Sequence, residues 1–143
     1  MKKIIFALTL FTVFNSAAFA ARNDADKKLL NDLSIVFKNA ENIKWTSTDK
    51  FNKAVFYFNE QAVSAFYNLD GELIGYFIHQ NVLAKEITDA IPQKYKDWKI
   101  TEAEKFIDAD GNVKYFIQVQ NIKHDLILEI ASYGKATIFM NLR

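Results

Sequence analysis

Residues 66–77 read FYNLDGELIGYF, and this stretch predicts a β-hairpin. The dipeptide Asp70-Gly71 is typical of tight turns, and the residues on both sides of it are aromatic or aliphatic. A strand with one face on a core alternates between apolar and polar side chains. Here apolar side chains occupy both alternating positions, so the second face of the hairpin needs an explanation.

The segments before and after this hairpin predict one helix and four strands in the first half of the chain. Apolar residues at three- and four-residue spacing predict the helix; they are Leu29, Leu30, Leu33, Val36 and Phe37. The four strands are predicted at IKWTS (43–47), KAVFYFN (53–59), QAVSAFYNL (61–69) and ELIGYFIHQ (72–80).

The second half repeats this order of a helix followed by strands. One helical stripe contains Leu83, Ile87, Ile91, Tyr95 and Trp98, and it predicts a helix from about Leu83 to Lys96. Pro92 lies inside this helix and removes a backbone donor. Strands follow at residues 99–107, 112–120, 124–132 and 136–142, with turns at Asp110-Gly111, Asn121-Ile122 and Tyr133-Gly134.

The two halves also share a short sequence pattern. WTSTDKF at 45–51 and ITEAEKF at 100–106 align without a gap and have Thr, Lys and Phe at the same positions. The sequence therefore predicts an α+β fold made of two tandem helix-plus-antiparallel-sheet repeats, at about 24–80 and 81–143. Each repeat is too small to cover its helix alone, so both repeats are expected to form a single domain, residues 21–143.

The first 20 residues are predicted to be a secretory signal peptide. Lys2 and Lys3 precede an apolar run from Ile4 to Phe14, and Ala18-Phe19-Ala20 supplies a cleavage site. Without this leader the chain has 16 basic and 17 acidic residues, a net charge of −1, which gives no electrostatic case for nucleic acid. We expect a periplasmic or secreted protein with no transmembrane segment after cleavage. Because the chain has no cysteine, we expect a fold without disulfides, as a monomer or weak oligomer.

The residues that usually carry catalysis are scarce in this chain. It has no cysteine, no Gly-x-Ser-x-Gly motif and only two histidines, His79 and His124, which the strand pattern places on separate hairpins. Asp108-Ala109-Asp110-Gly111-Asn112 lacks the later ligands of a calcium loop and is better explained as a turn. We therefore predict no catalytic residue, no cofactor and no metal site, and we do not expect an enzyme.

Several of these segments, in this order and spacing, match a known family. FKNAENIKW (37–45), Ala54-Val55-Phe56, AFYNLDGELI (65–74) and YKDWKITEAEKFIDADGNVKYFIQV (95–119) resemble the PepSY-like, β-lactamase-inhibitor-like proteins that Bacteroidota export. The similarity covers roughly residues 30–142. It departs from the family at Ala84, where such proteins often open the second helix with Leu-Pro. The resemblance implies two repeats whose helices cover one sheet face, and it implies no catalytic residues.

The resemblance also bears on the second face of the first repeat, since related tandem-repeat inhibitors hold their target with aromatic residues of an open, concave sheet. Strict alternation places Tyr57, Phe66 and Tyr76 in the register away from the helix, on three neighbouring strands. We predict that these three residues bind a partner, an unidentified protein or peptide of the cell envelope that the module inhibits or modulates. Two alternatives remain open: a carrier for a small apolar ligand or peptide, and burial of this face between the repeats.

Overall fold

The computed structural model describes residues 23–131 and 134–143, with the backbone alone described at 23–27. Its elements are α1 (Asn23–Val36), β1 (Glu41–Ser47), β2 (Asn52–Phe58), β3 (Gln61–Tyr67), β4 (Leu73–His79), α2 (Lys85–Ala90), a 3₁₀ turn (Gln93–Tyr95), β5 (Lys99–Asp108), β6 (Val113–Gln120), β7 (Asp125–Ala131) and β8 (Thr137–Asn141). The predicted signal peptide, residues 1–20, and Tyr133 of the predicted Tyr133-Gly134 turn lie outside the described residues.

The eight strands form one antiparallel sheet in which each strand pairs with the next along the chain. The predicted α+β class and all eight predicted strands are confirmed. The turns at Asp70-Gly71 and Asp110-Gly111 are confirmed as well, with φ of 82° at Gly71 and 85° at Gly111. The Asp108 carboxylate accepts the Asn112 backbone N–H at 2.8 Å, so this segment is stabilised as a turn.

The helix α1 covers the sheet of the first half with one stripe of side chains. Leu29, Leu33 and Phe37 are four residues apart and buried, and they pack on β2 and β3. The Phe37 ring contacts the rings of Phe56 and Tyr76, each at a centroid distance of 4.9 Å. The predicted apolar face of the helix is thus confirmed for Leu29, Leu33 and Phe37.

The second helix is much shorter than predicted. α2 ends at Ala90, and the chain re-forms only a 3₁₀ turn at Gln93–Tyr95. The physical cause is Pro92, which disfavours helical backbone at the residue before it; Ile91 has an extended conformation with ψ of 124°. The prediction of one helix from Leu83 to Lys96 is therefore wrong. Ile91 and Tyr95 still cover the second half of the sheet, where they pack with Ile117 and Leu128.

A bulge in the hairpin of β3 and β4 changes which side chains share a face. Phe66 pairs with Gly75, whereas Tyr67 pairs with Leu73, so Ile74 is an extra residue in the ladder. Alternation restarts after the extra residue. Tyr76 therefore pairs with the buried Ala65 on the helix-covered face, and Phe77 takes the opposite face.

Candidate binding face

Both helices pack on the same side of the sheet, and the other side is here called the open face. Ala103 of β5 belongs to the second core, and Lys105, two residues later, faces the same side. Lys105 pairs with Ile78, which packs on the first core, so both cores lie on one face of the sheet. None of the described helices packs on the open face. The second face of the hairpin FYNLDGELIGYF is therefore part of the open face.

The open face carries a row of six phenylalanine rings, which we call the phenylalanine band. Its members are Phe51, Phe66, Phe77, Phe106, Phe116 and Phe139. Phe77 is at its centre, with its ring centroid 5.8 Å from that of Phe66, 4.6 Å from that of Phe106 and 5.9 Å from that of Phe116. The tilted and edge-on geometries are those that aromatic pairs prefer.

The band is buried at its centre and exposed at its β8 end. Phe66 is 1% exposed and Phe77 5% exposed, although no described helix covers them, whereas Phe139 is 38% exposed. Gly75 explains the close packing at the centre. A Cβ at this position would lie 2.6 Å from the Phe106 ring, so the absence of a side chain lets that ring occupy the space.

Charged and polar side chains border the band next to His79. The His79 Nδ1 atom lies 3.1 Å from Glu104 Oε1, and the Lys53 ammonium group lies 5.5 Å from the centroid of the Phe66 ring. Burial raises the pKa of the Glu104 carboxyl, and the hydrogen bond with His79 opposes this shift. Burial lowers the pKa of Lys53, and the Glu104 charge opposes that shift. The border is therefore only partly hydrated.

Further polar pairs lie on β6 and β7. Lys114 Nζ donates to Glu129 Oε1 at 2.9 Å, and Gln118 Nε2 donates to Asp125 Oδ1 at 2.7 Å. Between these pairs Ile127 faces the same side as Gln118 and is buried. The open face therefore combines an apolar centre with paired polar groups at its margin, which is the usual anatomy of a protein interface.

The described residues contain no cluster of potential metal ligands, and the two histidines lie apart from each other. Within residues 23–131 and 134–143, no three His, Asp or Glu side chains come together as a metal site. His79 pairs with Glu104, while His124 stacks on Trp98 at a centroid distance of 5.9 Å. The two histidines thus have separate neighbours. No helix of the described ranges is long and apolar enough to cross a bilayer.

The structure places two of the three predicted partner-binding residues on the open face. Tyr57 is 46% exposed there, and Phe66 is in the phenylalanine band. The prediction that Tyr76 lies on the same face is wrong, because the bulge turns its side chain toward Phe37 under α1. Phe77 occupies the place that Tyr76 was predicted to take.

The sequence did not lead to a prediction of the three band residues in the second half of the chain, Phe106, Phe116 and Phe139. In β5, Phe106 faces the same side as Glu104 and Asp108. In β6, Phe116 faces the same side as Lys114 and Gln118. This pattern could have predicted the rings, because each of the two neighbouring strands has one phenylalanine among polar residues that face the same side.

The comparisons with known proteins give similarity in fold without close similarity in sequence. No protein-family model matches the chain, and none of the curated proteins does. A BLIP-like protein from Bacteroides fragilis superposes with a TM-score of 0.74 at 11% identity, over 88% of this chain and 89% of that one. The chain has the fold of this BLIP-like protein. The predicted resemblance to β-lactamase-inhibitor-like proteins is thus confirmed for the fold.

Two further solved structures from Bacteroides share this fold. A DUF2874 family protein from Bacteroides uniformis has a TM-score of 0.70 at 10% identity, over 87% of this chain and 91% of that one. A proposed periplasmic protein from Bacteroides eggerthii has a TM-score of 0.73 at 14% identity, with the same coverage of 87% and 91%. The similarity to PepSY proteins stays a prediction.

Proposed function

We propose that this protein is a non-catalytic binding module and that it binds a partner protein through the open face. The observation that carries the proposal is the phenylalanine band, which continues from the buried Phe77 to the exposed Phe139. Large exposed apolar patches are uncommon on soluble proteins and mark interaction sites. The shared fold with a BLIP-like protein makes an enzyme, inhibited by the module, the first class of partner to test.

We further propose that the module acts in the periplasm or outside the cell. The predicted signal peptide and the fold shared with a proposed periplasmic protein support this location. The proposed division into two repeats, at about 24–80 and 81–143, is supported by two separate clusters of buried side chains. One cluster lies beneath α1 and the other beneath α2 and the 3₁₀ turn.

The burial of each ring divides the open face into contact residues and supporting residues. Tyr57 and Phe139 are exposed, and we propose that they contact the partner directly. Phe66 and Phe77 are buried, and we propose that they hold the exposed rings in place. Tyr76 is left out of the contact set, because it packs against Phe37.

The experiment is affinity capture from a periplasmic and outer-membrane extract, followed by titration calorimetry with each purified candidate. The baits are the wild-type protein, Tyr57→Ala and Phe139→Ala. We expect both variants to lose the partner, since exposed aromatic residues in an interface typically cost about 2 kcal/mol or more on truncation. Both variants should melt near the wild-type temperature, because neither side chain is buried in the isolated protein.

The matched control is Val36→Ala, because Val36 is 47% exposed and lies on α1, on the opposite side of the sheet. This variant should retain the partner. Equal capture by all four baits would show that the open face does not bind it. If the wild-type protein instead co-purifies with a small apolar ligand, that result would favour the carrier function.

A further inference from the structure

The turn between β6 and β7 has an exposed apolar side chain at its outermost point. Ile122 is 95% exposed, and Leu142, which follows β8, is 39% exposed. The Leu142 backbone N–H donates to the Asp125 carbonyl at 2.7 Å, so the turn and the segment after β8 lie side by side. We call residues 121–124 and 142–143 together the isoleucine tip. Glycine, proline, asparagine, aspartate and serine dominate turns, so an almost fully exposed isoleucine there indicates a contact outside the chain.

The backbone of this turn has hydrogen-bond partners within the protein. The Asn121 Oδ1 atom accepts the backbone N–H groups of Lys123 and His124, each at 2.8 Å. The Arg143 guanidinium donates to the carbonyls of Asn121 and Ile122 at 3.5 and 3.4 Å. Backbone groups without a partner are costly to move from water toward lipid. The internal partners lower this cost for the isoleucine tip.

Basic residues predominate around the isoleucine tip. The stacking of Trp98 on His124 places the start of β5 beside the turn. In segments 96–99, 121–125 and 142–143 the basic residues are Lys96, Lys99, Lys123 and Arg143, and the acidic residues are Asp97 and Asp125. Lys99 and Lys123 are exposed, and neither forms an ion pair with another described residue. Their ammonium groups are therefore available to anionic groups of a binding surface.

The turns at the opposite end of the sheet have the opposite charge. In the described residues of the β1–β2, β3–β4, β5–β6 and β7–β8 turns, the acidic residues are Asp49, Asp70, Glu72 and Asp110, and the basic residues are Lys50 and Lys135. A negatively charged surface would attract the isoleucine tip and repel this other end. The charge distribution thus favours one orientation of the protein on such a surface.

We propose that the isoleucine tip docks on a lipid surface that contains anionic phospholipids. Ile122 and Leu142 enter the boundary between headgroups and acyl chains, while Lys99 and Lys123 contact lipid phosphates. Binding of this kind depends on the buried apolar area together with attraction to anionic lipids. The site is separate from the open face and does not depend on the proposed function. Docking through one end of the strands leaves the open face accessible to a partner.

The test is co-sedimentation of the exported protein, from which the predicted signal peptide has been removed, with lipid vesicles at low ionic strength. One set of vesicles contains phosphatidylglycerol and phosphatidylcholine in equal parts, and the other contains phosphatidylcholine alone. We expect the partition coefficient to be at least about tenfold higher with the anionic vesicles, and added salt to reduce it. Equal binding to both sets, or no binding to either, would overturn the proposal.

The matched variants are Ile122→Ser in the isoleucine tip and Leu69→Ser in the β3–β4 turn, since Leu69 is also exposed but lies at the acidic end. We expect Ile122→Ser and Lys123→Gln each to weaken binding to the anionic vesicles about fivefold, and Leu69→Ser to leave it unchanged. Wild-type affinity in both tip variants would contradict the proposal. If Ile122→Ser instead loses a captured protein and the wild-type protein does not bind vesicles, a protein occupies the tip and the proposal is wrong.

Discussion

Replacing Phe66 by alanine should destabilise the protein far more than replacing Tyr57, although both side chains lie on the open face. Phe66 is 1% exposed, and its ring contacts the rings of Phe51 and Phe77. Truncation would leave a cavity among these rings, and Phe→Ala substitutions of this kind cost about 3–5 kcal/mol. Tyr57 is nearly half exposed, so its truncation should cost less than about 1 kcal/mol.

These free energies correspond to well-separated melting temperatures. In a domain of this size, about 1 kcal/mol shifts the melting temperature by roughly 3–5 °C. Phe66→Ala should therefore melt about 10–20 °C below the wild-type protein, and Tyr57→Ala within about 5 °C of it. Circular dichroism during heating measures both, and urea unfolding gives the free energies directly.

Phe66→Leu serves as the control, because leucine refills part of the cavity and should recover much of the lost stability. A near-normal melting temperature for Phe66→Ala would refute the reasoning. That result would mean that the centre of the phenylalanine band is not packed as core, and Phe66 would return to the contact set that the sequence alone predicted for it.

Three further predictions concern single groups in the sheet. Tyr67→Phe should leave stability unchanged or raise it by about 1 kcal/mol in urea unfolding, because the buried Tyr67 hydroxyl has no hydrogen-bond partner among the described residues and burial raises its pKa to about 12. Gly75→Ala should lower stability by about 1–3 kcal/mol, since its Cβ would meet the Phe106 ring. Gly134→Ala should not lower it, since no atom of the described residues lies within 4 Å of the added Cβ. Because burial raises the pKa of Glu104, the folded protein binds this proton more tightly than the unfolded chain, and the resulting stability is lost as pH rises through the raised pKa. Glu104→Gln should therefore be more stable than the wild-type protein near neutral pH and lose that advantage below the ordinary pKa of 4.5, which urea midpoints across this range would show.

The strands could be predicted from the sequence because their signals are local. Turn dipeptides such as Asp70-Gly71 and Asp110-Gly111 mark hairpin ends, and β-branched and aromatic runs fill the intervals between them. The end of α2 was predictable in principle for the same reason, since Pro92 acts on its immediate neighbour. The error there lay in following the apolar stripe from Leu83 to Trp98 past a residue that stops helices.

The face of Tyr76 could not be predicted in this way, because it depends on one extra residue in a strand ladder. The alternation of side chains has a period of two, so a single bulged residue moves every later side chain to the other face. Gly75 signals an irregular strand, but it does not identify its neighbour Ile74 as the extra residue. The position of the bulge follows from the pairing of Phe66 with Gly75 and of Tyr67 with Leu73. Both pairings depend on the geometry of the whole hairpin.

The buried centre of the phenylalanine band has a consequence for how the open face would bind. Side chains at a binding site usually lose rotamer freedom when the partner arrives, and this lowers affinity. Here Phe116 is held between Phe77 and Phe139, and Gly75 lets Phe106 pack closely beside them. The rings next to the exposed Phe139 are thus already fixed by their neighbours before any partner binds. A partner that binds the open face would therefore meet a largely preorganised apolar surface. Substitutions at the buried centre of the band should weaken binding in two ways, because they loosen the exposed rings and also destabilise the fold.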